Sequence, residues 1–341
     1  MDCLKVPKNE GEKIRKELMK KDLLYQEGVI DSEDDYLFIP IKKEAKSQLD
    51  ELGYEIVDRD IEERDKKERD YKNLVKVPED LEKYLPSSYD IIGDIALVKI
   101  PEEIKEYKDQ IGLAILGTHK NLTTVLEDKG VYGKFRKRNI EHIAGDKKTE
   151  TTYREHGAEL QIDVGSVYFS PRLATERWRI VERTKKNEVV LDMFAGAGPY
   201  TVLIGRNVDV KQIHSVDLNP DAIGYLRRNV KKNNLEDLVT IYEGDAEKIA
   251  PKLSCDRVIM NLPHSSKDFI EAALSSINGK GTLHYYEIIE ENKMENSLES
   301  LSEKIDEKGF RSKILEERVV RTYSSTELHM AYDILVEKIE Y

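Results

Sequence analysis

The chain is 341 residues long, which at about 150 residues per domain allows two domains or three small ones. At 36% charged and 39% hydrophobic it can build cores under a heavily solvated surface, with no apolar run near the ~20 residues of a membrane span and no signal-peptide stretch in its charged N-terminus. Two distant cysteines exclude a disulfide framework, seven histidines form no ligand spacing, and a net charge of −12 disfavours a nucleic-acid partner unless the 55 basic residues cluster.

Helical spacing predicts a helix from Glu12 to Lys20, and Tyr36 to Pro40 reads as a short strand stopped by proline. A second helix is expected from Lys42 to Leu52, closed by Gly53, with a strand at Tyr54 to Val57. The run DRDIEERDKKERDYK, from Asp58 to Lys72, has almost nothing to bury. It reads as a solvated helix or linker and is the best domain boundary in the chain.

The middle segment opens with two strands around a Gly-Asp turn, Ile91 to Val98. A helix from Pro101 to Leu116 follows, then strands at Thr123 to Leu126, Thr149 to Arg154 and Glu159 to Val164. Between them lies KGVYGKFRKR, with Lys129, Lys134, Arg136, Lys137 and Arg138 interleaved with Tyr132 and Phe135. Basic and aromatic residues mixed in this way suit RNA, whose phosphates take the charge and whose bases stack on rings. An ordinary cationic loop has the same composition.

From about Ser170 onward, strands alternate with helices. Strands are expected at Glu188 to Phe194, Gln212 to Asp217, Val239 to Glu243, Arg257 to Asn261 and Gly281 to Glu287. Helices are expected at Tyr200 to Arg206, from Asn219-Pro220 to Asn233, at Lys267 to Ser276 behind Ser265 and Ser266 as caps, and around Asn296 to Lys308. Two last strands, Lys313 to Val320 and His329 to Val336, follow without a helix between them. The fold class is therefore α/β, a mostly parallel Rossmann-like sheet with an antiparallel edge hairpin, preceded by two smaller α/β or α+β domains.

Three acidic residues mark three successive strand ends. Asp192 precedes the glycine turn Phe194-Ala195-Gly196-Ala197-Gly198, where Thr201 replaces the third glycine of a dinucleotide fingerprint. Asp217, roughly 20 residues on, can accept from ribose hydroxyls, and Leu218 can pack on adenine. Asp245, beside Ala246, can accept from an adenine amino group. Each alone reads equally well as a turn or cap residue. Together they suit S-adenosylmethionine, whose sulfonium and ammonium favour acidic surroundings and whose carboxylate suits the glycine-turn amides. The fourth strand ends in Asn261-Leu262-Pro263-His264, a stiff donor–acceptor edge suited to a planar base, or a plain Asn-Pro turn.

The segments VYFSPRL (Val167 to Leu173), Glu176-Arg177, DMFAGAGP, VDLNP and NLPH strongly resemble the archaeal and eukaryotic tRNA guanine-N1 methyltransferases, which modify the guanosine 3′ of the anticodon, position 37. The tail RVVRTYS, Arg318 to Ser324, fits as well. The resemblance covers most of the chain from Lys129 and extends loosely to the N-terminus. It implies a class I methyltransferase domain at residues 168–341, a middle RNA-binding domain at 73–167, a charged linker at 63–72, and a small tRNA-recognition domain at 1–62. It implies Glu176 as general base, Arg136 as the group steadying charge on the guanine oxygen, and Asn261 and Pro263 as the residues gripping the base. It also implies cofactor contacts from Arg177, Asp217, Leu218, Asp245 and Ala246, beside Asp192, Phe194, Gly196, Gly198 and Asn261. Lys134, Arg136, Lys137, Arg138, Tyr168 and Arg172 are expected on RNA. A base in the Glu176 role works best when partly buried; taken alone, the residue reads as a surface glutamate paired with Arg177 or Arg179 on a helix. The resemblance also implies Tyr168 as a site-lining aromatic, and His264, where relatives differ, receives no role. The family expectation is a cytoplasmic monomer with tRNA as partner and no metal. Rival readings are a wyosine-pathway relative that transfers aminocarboxypropyl or also methylates a tricyclic precursor, a non-catalytic RNA binder, and an NAD-dependent dehydrogenase.

Overall fold

A computed structural model describes residues 1–45, 49, 53–62 and 70–339. The chain forms two compact units, Met1–Asp70 and Tyr71–Tyr341. In the first, strands β1 (Asp2–Pro7), β2 (Asp31–Glu33), β3 (Tyr36–Pro40) and β4 (Glu55–Asp58) form an antiparallel sheet in the order β2-β3-β1-β4. Helix α1 (Gly11–Lys20) turns Ile14 and Leu18 into a core with Leu4, Val6 and Ile39. The expected helix Lys42 to Leu52 lies largely outside the described residues; Lys43–Ala45 is a single 3-10 turn. The centre of the charged run, residues 63–69, lies outside them too. Strands β1 and β2 were not foreseen: β1 ends in a proline and β2 is three exposed residues, so neither shows a strand pattern.

The second unit opens with β5 (Asp90–Ile92) and β6 (Ile95–Val98), then helix α2 (Lys108–Thr118), β7 (Thr124–Tyr132) and β8 (Lys137–Gly145), a sheet ordered β5-β6-β7-β8. The basic run KGVYGKFRKR is therefore the tip of the β7–β8 hairpin rather than a loop between strands. Its turn is closed by the Arg136 N–H donating to the Gly133 carbonyl at 3.1 Å. A two-stranded hairpin follows, β9 (Glu150–Glu155) and β10 (Ala158–Asp163).

Next come α3 (Ala174–Arg183), β11 (Val189–Asp192), α4 (Pro199–Asn207), β12 (Gln212–Asp217), α5 (Pro220–Lys232), β13 (Val239–Glu243), α6 (Ala246–Ile249), β14 (Cys255–Met260), α7 (Ile270–Ser275), β15 (Ile277–Glu290), α8 (Met294–Glu307), β16 (Phe310–Thr322) and β17 (Glu327–Lys338). Their seven-stranded sheet runs β13-β12-β11-β14-β15-β17-β16. The first five are parallel and β17 and β16 antiparallel, as the pattern of a final hairpin required. The chain leaves β11 toward β12 and returns on its other side with β14. A crevice therefore opens between the carboxyl ends of β11 and β14, where such sheets bind ligands.

The middle segment does not keep a wholly separate core. Ile92, Ile95 and Leu97 pack in one cluster with Leu160 and Ile162 of the hairpin and Val190 and Ile213 of the large sheet. At about 1.5–3 kcal/mol per buried aliphatic side chain, this shared cluster ties the basic hairpin to the sheet. Asn229 of α5 adds a polar clamp. Its amide donates to the carbonyls of Gln161 (3.0 Å) and Ala197 (2.9 Å) and accepts the Gln161 N–H (2.7 Å). It thereby fixes the glycine turn against strand β10.

Candidate active site

A cavity of about 580 Å³ occupies the crevice, within the range of small-molecule and cofactor sites. Its floor begins at the glycine turn. Gly196 (φ +56) and Gly198 (φ +84) both sit in the left-handed region. A Cβ on Gly196 would meet only open space, because this residue faces the cavity. A Cβ on Gly198 would lie 2.3 Å from the Leu226 side chain, so this glycine serves helix packing. Gly198 does not line the cavity, contrary to its expected cofactor contact.

Asp217 does line it. Its carboxylate accepts the N–H of Gly196 at 2.7 Å and of Asn219 at 2.8 Å, joining the ends of β11 and β12. Burial raises its pKa, and those backbone donors hold it down. Asp245 caps α6 by accepting the Glu247 N–H at 3.1 Å and still reaches the cavity, so cap and site readings both hold. Leu218, Ala246 and Phe194 line the same end, and Phe194 meets Phe269 edge to face at 5.0 Å. Asp192 is not in the lining. It lies 1% exposed beneath the turn, where Thr201 Oγ1 donates to it at 2.8 Å and its Oδ1 has no partner among the described residues. Burial pushes its carboxyl up to about 7.

At the other end stand Asn261 and Pro263, directly after β14. The Asn261 amide is half-buried and makes no hydrogen bond among the described residues. The turn is locked by Ser266, whose hydroxyl donates backward to the carbonyls of Met260 (2.9 Å) and Leu262 (3.0 Å) instead of capping the next helix as expected. Lys134 and Arg136 of the basic hairpin and Tyr168 complete this end. Arg136, itself left-handed at φ +52, lies 5.2 Å from the Tyr168 ring centroid and has no ion pair among the described residues.

Several predicted groups lie elsewhere. Arg138 is buried in an ion pair with Asp128 and donates to the Phe169 carbonyl at 3.1 Å, so it braces the hairpin rather than meeting RNA. Lys137 pairs with Asp221 at 2.6 Å, and Arg172 with Asp90 at 2.6 Å; neither lines the cavity. Arg177 touches the wall, but its guanidinium is committed to Glu155 and the Ser170 carbonyl. Glu176 is 2% exposed and outside the lining. It accepts from Arg179 at 2.8 Å and from the Tyr286 hydroxyl at 2.7 Å, with Arg318 at 3.3 Å. Tyr200, which lines the cavity, is buried beside Tyr286. Tyr286 thus reaches Glu176 from the wall side, while the buried Tyr200 hydroxyl has no hydrogen-bond partner among the described residues.

Sequence reasoning missed Tyr200, Tyr286, Phe269, Arg321 and His329. Tyr200 directly follows the glycine motif and Arg321 lies within RVVRTYS, so a motif stood beside both, whereas Tyr286, Phe269 and His329 carry no local signal. A wider depression of about 910 Å³ lies elsewhere, beside Asp94 and Lys148. Asp94 is spent on Lys148, Thr123 and Thr151, and nothing there converges on a ligand.

The cavity is therefore two-ended. Carboxylates of Asp217 and Asp245 with apolar walls fit a cationic adenosyl donor, with open space over Gly196 for a close backbone approach. The other end carries, among the described residues, cations without ion pairs and an Asn261 amide without a hydrogen bond.

The chain matches family models described as the TRM5/TYW2 methyltransferase domain over residues 151–315, the TYW2 N-terminal domain over 72–149, and the tRNA methyltransferase 5 N-terminal domain over 3–50. It is 40% identical over 336 residues, 98% of each chain, to the tRNA (guanine(37)-N(1))-methyltransferase Trm5b of Pyrococcus abyssi. The crystal structure of Trm5b from that organism superposes with a TM-score of 0.77 at 39% identity, covering 99% of both chains. A structure of aTrm5 in complex with tRNALeu gives a TM-score of 0.72 at 34% identity over 99% of both chains. On this identity over almost its full length, the chain belongs to the TRM5/TYW2 family of S-adenosylmethionine-dependent enzymes, among the tRNA (guanine37-N1)-methyltransferases.

Proposed function

We propose that the protein transfers a methyl group from S-adenosylmethionine to N1 of guanosine 37 in tRNA. The observation that carries this reading is the two-ended cavity at the sheet's switch point, acidic at one end and cationic at the other. S-adenosylmethionine supplies an electrophilic methyl carbon on a positively charged sulfur. Asp217 and Asp245 hold its ribose and adenine, with Leu218, Ala246 and Phe194 as apolar walls and Gly196 as the cradle. Arg177 and Asp192 act from behind, keeping the wall and the turn in shape.

Guanine N1 carries a proton, so the chain must supply a base, worth ~10²–10⁴-fold when well placed. Glu176 takes that part, held by the Tyr286 hydroxyl behind the cavity wall that Tyr200 lines. Arg136 steadies the negative charge that develops on O6, a preorganised electrostatic effect. Asn261 presents donor and acceptor to the base edge, and Pro263 keeps that edge stiff. Lys134, Arg136 and Tyr168 meet the RNA. On this reading the protein acts as a monomer in the cytoplasm.

Incubation with unmodified tRNA and labelled S-adenosylmethionine, followed by nucleoside analysis, tests the reading. It expects 1-methylguanosine, lost when guanosine 37 is replaced by adenosine. An aminocarboxypropyl adduct, or methylation elsewhere, overturns it.

A further inference from the structure

The proposed roles leave one part of the cavity unused. Beyond Asn261 and Pro263, the wall is made by the β16–β17 hairpin and its tip, with Arg321, Tyr323 and His329 reaching the cavity beside His264. His329 is 2% exposed, yet neither ring nitrogen has a partner among the described residues. Leaving a buried polar group unsatisfied costs about 1–3 kcal/mol, so two such nitrogens facing a cavity point to a missing partner. Arg321 has no ion pair among the described residues, and its buried Nε is also unsatisfied. The arginines deeper in the unit are by contrast committed: Arg138 to Asp128, Arg177 to Glu155, Arg179 to Asp333 and Arg257 to Glu188. The Tyr323 hydroxyl meets His264 Nε2 at 3.3 Å, holding both rings at the mouth.

We propose that Arg321, His329, His264 and Tyr323 form a subsite for a phosphate flanking the target guanosine. The subsite rests on the reading of this cavity as an RNA-methylating site. The chemistry favours an anion. Arg321 supplies a planar set of charged donors, and His329 and Tyr323 supply neutral ones. Burial, Arg321 and His264 together push His329 down to about 4, so at neutral pH it offers one N–H without adding charge. His264 is lowered by burial and by Arg136, with Glu327 opposing. The carboxylates that suit the cationic donor lie at the other end of the cavity. Phosphate contacts position a nucleotide without reading its base, which suits a site whose specificity comes from Asn261 and the slot.

The test pairs a protein change with an RNA change. Arg321→Gln sits on a half-exposed edge strand, and tRNA can be assembled with a methylphosphonate at either phosphate flanking position 37. Arg321→Gln is expected to weaken tRNA binding about 10–100-fold and to lower the salt slope by about one. S-adenosylhomocysteine affinity is expected to stay at the parental value. One methylphosphonate costs the parent enzyme a similar factor and costs Arg321→Gln nothing further. His329→Leu repeats the binding loss, and His329→Gln restores most of it. Losses that multiply between Arg321→Gln and both methylphosphonates overturn the subsite. So does a loss of S-adenosylhomocysteine affinity, which would move Arg321 to the cofactor side. If the parent makes no 1-methylguanosine, the functional reading fails instead, whatever the variants show.

Discussion

The two glycines of the turn give the sharpest separation between folding and ligand binding. Both are left-handed, so a side chain at either costs about 1–2 kcal/mol in backbone strain. At Gly198 the new Cβ also lies 2.3 Å from Leu226, an overlap whose relief costs roughly 1–3 kcal/mol more. Gly198→Ala should thus lose about 2–5 kcal/mol and Gly196→Ala about 1–2. At about 2–4 °C per kcal/mol for a unit of this size, melting should fall by roughly 4–20 °C and 2–8 °C respectively. The binding order is reversed. The Gly196 Cβ meets no protein atom and projects where the ligand must approach, so Gly196→Ala should lose S-adenosylhomocysteine binding at least tenfold while staying folded. Melting curves by circular dichroism, with calorimetric titration of the same samples below their transitions, read both effects. A Gly196→Ala protein that binds at parental affinity refutes the placement of the ligand over this turn.

Other consequences follow from specific pairs. Glu176→Gln should lower single-turnover methylation by ~10²–10⁴-fold with S-adenosylhomocysteine affinity unchanged, and parental turnover would remove the base assignment. Arg136→Ala should weaken tRNA binding about 10–100-fold, and Lys137→Ala less, because Lys137 is already paired with Asp221; filter binding of both variants decides it. Burial raises folded Asp192 from 3.8 to about 7, so its proton contributes stability that is complete below about pH 4 and lost as pH rises through about 7. Asp192→Asn should flatten the stability–pH curve there, by up to about 1.4 kcal/mol per pH unit, in urea melts. Burial pushes Asp333 up, but His284 and Arg179 outweigh it and hold it well below the carboxylate range. Asp333→Ala removes the buried acceptor shared by Arg179 and His284 but leaves Arg179 paired with Glu176, and should cost about 1–3 kcal/mol in the same melts.

What the sequence made legible is local. The glycine turn, Asp217, Asp245 and Asn261 follow strand ends, and a strand end plus a turn is visible in a short window. Those residues do converge in the crevice. The fates of Arg138 and Arg177 were not legible, because each is decided by a partner from another element, Asp128 and Glu155; the Glu176–Arg179 pairing is readable on one helix, but burial of Glu176 against Tyr286, 110 residues away, is not. A sequence window cannot tell a basic residue aimed at RNA from one neutralised by a distant carboxylate. His329 looked like any strand residue; only the β15–β17 pairing and the cavity beside it make it distinctive. The shared core likewise joins residues 73–167 to the large sheet through contacts that composition does not reveal.

The central claim is that one cavity holds a positively charged adenosyl donor at its carboxylate end and a tRNA guanine at its cationic end. Calorimetric titration of S-adenosylhomocysteine into the protein, alone and with unmodified tRNA, tests it most directly. A single site is expected in both titrations, lost in Asp217→Ala and kept in Arg136→Ala. Absence of binding heat in both titrations, or an Asp217→Ala protein that binds as the parent does, contradicts the account.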